Sequence, residues 1–190
     1  MTSEQIAIFI AIAAFTVSGV VINIWKRTSN NNDAFQQDGN TLLLFRLVIP
    51  TTIIASLLFY FWGLTRVEFP LYVNVFGYLL VVIGFAIRWV AVISLGKSFT
   101  VYVTIIKNHK LKTNGLYRFV RHPSYTGLIL YYIGLGLMLN NIIALVLLIL
   151  LPLLVIVRRI ILEEKVLLSQ FKQQYTNYQS KTWKLIPFLY

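Results

Sequence analysis

The chain has 190 residues, of which 58% are hydrophobic and 12% charged, against roughly a quarter charged in a soluble domain. It carries a net charge of +11, but its Lys and Arg residues fall between apolar blocks rather than in a stripe interleaved with aromatics, which speaks against a nucleic-acid partner. It has no cysteine, which excludes disulfides, thiolate metal sites and cysteine nucleophiles.

The hydrophobicity comes in long unbroken blocks, the pattern of helices that cross a bilayer. The first block covers about residues 5–25 and ends at Lys26-Arg27. It lacks a basic leader and exceeds the length of a signal-peptide core, so it reads as a retained span. Residues 28–40 are rich in Asn, Gln, Ser and Asp and read as a polar loop. The second block covers about residues 42–63. A short turn follows, and Pro70 suits the start of the third helix, about residues 71–95. Residues 96–121 are different, with Lys97, Lys107, Lys110, Lys112, Arg118 and Arg121 and no acid. Pro123 then opens a fourth block, about residues 124–139. Asn140-Asn141 makes a tight turn into the fifth, about residues 142–162, which Pro152 should bend. The tail is amphipathic, then aromatic, with Trp183, Phe188 and Tyr190 as interface anchors.

These blocks predict an all-α polytopic membrane protein of about five transmembrane helices. The last two form a hairpin, accompanied by a cytoplasmic loop and a carboxyl-terminal tail. Almost all of the basic residues between spans fall on one side, and only Arg66 falls on the other. The positive-inside rule then puts the amino terminus outside and the carboxyl terminus in the cytoplasm. The fourth helix is short, about 16 residues or ~24 Å, and scarcely crosses a ~30 Å hydrocarbon core. Gly127 and Gly134, on one of its faces, either allow close helix packing or leave room for a lipid chain.

Chemistry gathers at two places. Arg121-His122-Pro123-Ser124-Tyr125 opens the fourth helix, and Arg158-Arg159 with Glu163-Glu164 closes the fifth. A hairpin returns both to one side. Charge at the mouth of a membrane hairpin is costly and usually functional, the other reading being an interfacial Arg, His and Tyr that anchor a helix end. The first turn of the fourth helix offers free N–H groups to an anion. Arg159 and Glu163, four apart, share a helix face and are read as an anion clamp and a cofactor contact, or as a local ion pair. Arg88, about seven residues inside the third span, is expected to snorkel, as is Arg46. Neither His109 nor His122 has partners suited to a metal, and no metal is expected.

The run from Gly115 to Gly127 (Gly-Leu-Tyr-Arg-Phe-Val-Arg-His-Pro-Ser-Tyr-Thr-Gly) closely resembles the isoprenylcysteine carboxyl methyltransferase family, one of the integral-membrane methyltransferases related to the phospholipid methyltransferases. The resemblance continues through Arg159, Glu163-Glu164, Leu167, Phe171, Tyr175, Tyr178 and Ile186-Pro187 and covers about half of the chain. It implies S-adenosyl-L-methionine as methyl donor, bound on the cytoplasmic side. It also divides the chain into three amino-terminal helices, residues 1–95, and a methyltransferase core, residues 96–190. By position, His109, Lys110, Leu111 and Lys112 match the segment that lines the cofactor, where the two lysines depart from less charged residues. Tyr117, His122, Pro123, Ser124 and Tyr125 match further cofactor contacts, and Glu163-Glu164 the acidic end of the site. Arg159 matches the arginine beside the substrate carboxylate, which makes Arg159 and Tyr125 the catalytic pair. The usual Rossmann fold of soluble methyltransferases is not expected.

The implied partners are the lipid bilayer and a lipophilic methyl acceptor, prenylcysteine-like or lipid, with carboxyl methylation favoured because Arg159 suits an anion. N-methylation of a phospholipid amine, or O- or S-methylation of a small lipophile, is the enzymatic alternative. A non-enzymatic membrane binding protein is the other, and it sits poorly with a complete set of motif residues. Sterol reductases share a similar carboxyl-terminal helical region, but those chains are much longer.

Overall fold

The computed structural model describes residues 2–27, 35–36, 40–96, 104–105 and 111–187. Among the described residues, six α-helices carry the fold: α1 (Ser3–Arg27), α2 (Thr41–Trp62), α3 (Leu71–Leu95), α4 (Pro123–Met138), α5 (Ile142–Phe171) and α6 (Gln173–Gln179). A 3₁₀ turn, Gly115–Arg118, precedes α4. Two short strands, β1 (Phe35–Gln36) and β2 (Thr104–Ile105), pair antiparallel.

Four of these helices among the described residues, α1, α2, α3 and α5, are long and apolar enough to cross a bilayer, with mean hydropathies of 2.2 to 2.8. Their outward faces expose large apolar side chains, among them Ile10, Ile24, Leu71, Val82 and Leu154. In water such a surface would drive association. Here it is the lipid face of an integral membrane protein. The short α4 is the opposite case. Leu128, Tyr131, Tyr132 and Leu135 are almost wholly enclosed, and Tyr131 stacks on Phe15 of α1 at 4.5 Å.

Small residues explain how α4 is held. Gly84 and Gly77 of α3 face Gly127 and Gly134 of α4 in antiparallel register. A Cβ added at Gly127 would stand 2.5 Å from the Gly84 carbonyl oxygen, and one at Gly134 2.5 Å from that of Gly77. Of the two readings of this glycine pair, close packing is the one observed, and no space for a lipid chain remains along the seam. The backbones touch because lipid gives helices no hydrophobic reason to associate, so close van der Waals contact must do it.

At one end of the bundle the α2–α3 and α4–α5 turns are laced together. Val67 donates its N–H to the Asn140 carbonyl at 2.9 Å, and Phe69 donates to Asn140 Oδ1 at 3.1 Å. Asn141 caps α5 by accepting from the Ala144 N–H at 3.0 Å. At the other end the chain after α6 runs beside the start of α4. Arg121 and His122 donate their N–H groups to the carbonyls of Trp183 (2.8 Å) and Lys184 (3.1 Å).

The expected end of the fifth helix requires correction. Glu163-Glu164 does not terminate it, because α5 runs on to Phe171, 30 residues in all. At ~45 Å it outruns a ~30 Å core, so its last turns project past the hydrocarbon. They persist because the apolar pattern persists, with Val166 buried. Pro152 is accommodated inside this helix in a buried position.

Candidate functional site

A cavity of about 450 Å³ opens among the helices, walled by residues of α1 to α6 and by the turn before α4. That size is in the range of small-molecule sites. Most of the wall is apolar, which lets each polar group in it act at low effective dielectric.

Three residues expected from the sequence meet at one point. Arg159, 5% exposed, donates from Nε to the Tyr125 hydroxyl at 2.8 Å and to Glu163 Oε1 at 3.1 Å. The Tyr125 hydroxyl in turn donates to Glu163 Oε1. A further guanidinium nitrogen of Arg159 reaches Thr41 Oγ1 at 3.3 Å, and its charge lies 5.7 Å from the centre of the Phe45 ring. Helical geometry brings Arg159 and Glu163 one turn apart on α5. The antiparallel α4 supplies Tyr125 from its first turn.

His122 lies behind this group, buried, with its ring stacked against Tyr125 at 5.9 Å. Its Nδ1 is 3.5 Å from Glu163 Oε2, and its Nε2 is 3.4 Å from Glu164 Oε1. The second contact is off the hydrogen-bond direction, so Nε2 makes none among the described residues. Burial alone would lower the His122 pKa. The two carboxylates outweigh it, and the pKa is raised. Glu164 also receives Arg121 Nε at 2.8 Å and lies 3.6 Å from Lys184 Nζ. Arg121 spans from there to the Gln179 and Thr182 carbonyls.

The remaining residues expected from the sequence distribute as follows. Leu111, Lys112, Tyr117, His122, Ser124, Tyr125, Arg159 and Glu163 line the cavity. Pro123 is buried at the first position of α4 beside it. Glu164 faces Arg121, His122 and Lys184 on the outer side of the cluster. His109 and Lys110 lie outside the described residues, as do Phe188 and Tyr190. Trp183 is half exposed, as suits an interface anchor. The N–H groups of Tyr125 and Thr126 bond to the His122 carbonyl at 3.0 and 3.1 Å, so less of the first turn is open to an anion than its position suggests.

Several wall residues escaped sequence reasoning. Arg88 does not snorkel: it lines the cavity, with its guanidinium carbon 5.7 Å from the Phe15 ring centre. Thr41 and Phe45 of α2 flank Arg159. Tyr175 and Tyr178 of α6 close the tail side, where the Tyr178 hydroxyl donates to the Tyr117 carbonyl at 2.6 Å. Tyr175 is fully buried, and its hydroxyl has no partner among the described residues. Burial raises the Tyr175 pKa, with Glu164 adding to the effect. The resemblance that continues through Tyr175 and Tyr178 was the one signal that pointed there.

Residues 77–169 match the model of the isoprenylcysteine carboxyl methyltransferase (ICMT) family. A probable protein-S-isoprenylcysteine O-methyltransferase of Oryza sativa subsp. indica is 36% identical over 120 residues, covering 62% of this chain and 63% of that one. The protein-S-isoprenylcysteine O-methyltransferase of Saccharomyces cerevisiae is 38% identical over 118 residues, covering 61% and 49%. Among solved structures, that of the eukaryotic intramembrane Ras methyltransferase ICMT superposes with a TM-score of 0.63 at 26% identity, covering 76% of this chain and 52% of that one. The chain thus spans about half to two thirds of the length of these proteins. Over residues 77–169, the stretch that carries α4, Arg159 and Glu163, it is similar to the isoprenylcysteine carboxyl methyltransferase family.

Proposed function

We propose that this protein is an integral-membrane, S-adenosyl-L-methionine-dependent methyltransferase that methylates a carboxylate on a lipophilic acceptor. The observation that carries the proposal is the Arg159–Tyr125–Glu163 cluster set into an apolar cavity among membrane helices. The relatives' names support the reaction class.

The residues present suit the donor. It carries a sulfonium, an ammonium, a carboxylate and an adenine, and the wall offers a carboxylate (Glu163), aromatic rings (Tyr117, Tyr125, His122) and the unpartnered buried hydroxyl of Tyr175. Aromatic faces attract cations, and an orphaned buried hydroxyl is worth ~1–3 kcal/mol to whatever satisfies it. When bound, S-adenosyl-L-methionine supplies an electrophilic methyl group on a sulfonium.

The chain's own residues do the rest. Glu163, braced by Tyr125, Arg159 and His122, faces the cavity as a fixed negative charge that attracts the positive donor. Arg159 holds the acceptor carboxylate and turns one oxygen toward the methyl. Its forked donors suit that task, and its own position is set by Tyr125, Glu163 and Thr41. The apolar wall removes water from the carboxylate, which is a poor nucleophile when hydrated. Alignment of two reactants contributes up to ~7–11 kcal/mol in favourable cases. A carboxylate acceptor gives up no proton, so the cluster need not contain a base.

We place residues 96–190 as the methyltransferase core, with the spans before it forming the other wall. The site is assigned to the cytoplasmic end, because Lys and Arg concentrate in the segments at that end.

Calorimetry in detergent tests the donor, with S-adenosylhomocysteine and, separately, NADPH as titrants. The first is expected to bind and the second not; the reverse would overturn the reading. A labelled-methyl assay on prenylcysteine analogues and on total lipid extract then identifies the acceptor. Arg159→Ala is expected to lose turnover while retaining S-adenosylhomocysteine affinity. Normal turnover in that variant would remove Arg159 from its role.

A further inference from the structure

Arg88 is a cation with no counter-charge paired to it among the described residues. It sits on α3 about seven residues, or ~10 Å, inside the end of the helix at Leu95. Its Nε is buried without a hydrogen-bond partner, and its guanidinium forms no ion pair with any described residue. Its neighbour is a ring, Phe15, 5.7 Å away. A cation–π contact offsets only part of the desolvation of a guanidinium at membrane depth. Such a residue inside a span marks a functional site by default.

Its surroundings say which site. Arg88 lines the same cavity as Arg159, Tyr125 and Tyr132. Its backbone is held against α4 at Gly127, where an added Cβ would stand 2.7 Å from the Arg88 nitrogen. Gly127 is half a turn past Tyr125, so the seam sets Arg88 at the depth of the Tyr125–Arg159 cluster. The carboxylates of the site do not serve it. Glu163 is taken by Arg159, Tyr125 and His122, and Glu164 by Arg121, His122 and Lys184.

Building on the proposed function, we infer that Arg88 is a second binding cation for the acceptor carboxylate, opposite Arg159, and so a determinant of acceptor specificity. Arg159 alone is largely compensated by Glu163, so an acid entering the cavity meets its uncompensated charge at Arg88. Two guanidiniums on different helices select a carboxylate over an amide or alcohol of equal shape, because the neutral group leaves a buried fork unsatisfied. The donor's own carboxylate is the competing source of the same chemistry.

The test is equilibrium binding to the purified full chain in detergent. The probes are an S-prenylcysteine carboxylate, its carboxamide and S-adenosylhomocysteine, applied to the unaltered protein and to Arg88→Gln and Arg88→Lys. The unaltered protein is expected to prefer the carboxylate by roughly tenfold or more, the worth of one charge-assisted hydrogen bond. Arg88→Gln is expected to lose most of that preference at unchanged S-adenosylhomocysteine affinity, and Arg88→Lys to recover part of it. A carboxylate preference intact in Arg88→Gln overturns the inference. So does a selective loss of S-adenosylhomocysteine affinity, which would assign Arg88 to the donor. Failure of the unaltered protein to bind S-adenosylhomocysteine at all would instead overturn the proposed function.

Discussion

Adding one methyl group to the α3–α4 seam tests whether that seam positions the site. In Gly127→Ala the new Cβ would lie 2.5 Å from the Gly84 carbonyl oxygen and 2.7 Å from the Arg88 nitrogen, where ordinary contact begins at 3.4 Å. Both neighbours are helix backbone, so no side chain can yield. The helices must part by about 0.9 Å, the difference between those distances. Overpacking of this kind costs ~1–3 kcal/mol, or roughly 2–12 °C in melting temperature for a chain of this length. The same shift moves Arg88 away from Tyr125 and Arg159, and a displacement near 1 Å lowers turnover by about 10²-fold. Gly19→Ala is the stability control, because nothing lies within 4 Å of a Cβ there and alanine is the better helix former. Thermal unfolding in detergent and the labelled-methyl assay give the readouts. If Gly127→Ala melts and turns over like the unaltered protein while Gly19→Ala does the same, the seam does not position the site.

Tyr125→Phe keeps the ring stacked on His122 but removes the hydroxyl between Arg159 and Glu163. With charged partners that loss is worth ~1.5–3 kcal/mol, so kcat/KM should fall by roughly 10- to 100-fold while the fold survives; an unchanged value would exclude Tyr125 from the mechanism. The His122 pKa is raised in the fold, so its stabilising contribution is complete below the unfolded value of about 6.5. That contribution is lost as pH rises through the folded value. Melting temperature should therefore decline above about pH 6.5, with a shallower slope in His122→Gln, and equal slopes would refute it. Asn141, 1% exposed, caps α5 and donates to the Phe59 and Leu64 carbonyls. Asn141→Ala removes the cap and the two bonds to those carbonyls, a loss of ~3 kcal/mol that differential scanning in detergent would detect.

Helix positions were legible in the sequence and helix facings were not. The third helix starts and ends where its apolar run does, at Leu71 and Leu95, because Pro70 and Gly96 bound it. Likewise, the cluster at the mouth of the α4–α5 hairpin follows from an antiparallel turn at Asn140-Asn141 and from two polar motifs at matching distances. Helices that are apolar all round carry no stripe to say which side faces a neighbour. For that reason Arg88 read as a snorkelling residue although it points into the cavity. Thr41 and Phe45 could not be linked to Arg159 either. That contact spans 118 positions and depends on how α2 lies against α5, which no local period encodes. The end of α5 was misplaced for a different cause. A Glu-Glu pair looks like the limit of a membrane span, but hydrogen bonding along a helix does not stop where a charged pair occurs.

Burying Arg159 against Glu163 and His122 against two carboxylates costs several kcal/mol per ion before any attraction is counted. Such a group persists only when its surroundings leave it no alternative geometry. Here α4 is restrained on three sides. Asn140 and Asn141 tie its far end to the α2–α3 turn, glycine backbone contacts fix its flank against α3, and the chain at 183–185 bonds to residues 119–126 at its near end. Tyr125 and His122 project from that near end. The motif therefore owes its chemistry to groups outside it. Arg121 joins α4 to Glu164 of α5 and to the carbonyls after α6, so one side chain closes the frame around the cavity. An ion cluster held this way has little reorganisation left to undergo when a ligand arrives, and that is the condition under which fixed charges favour a displacement reaction.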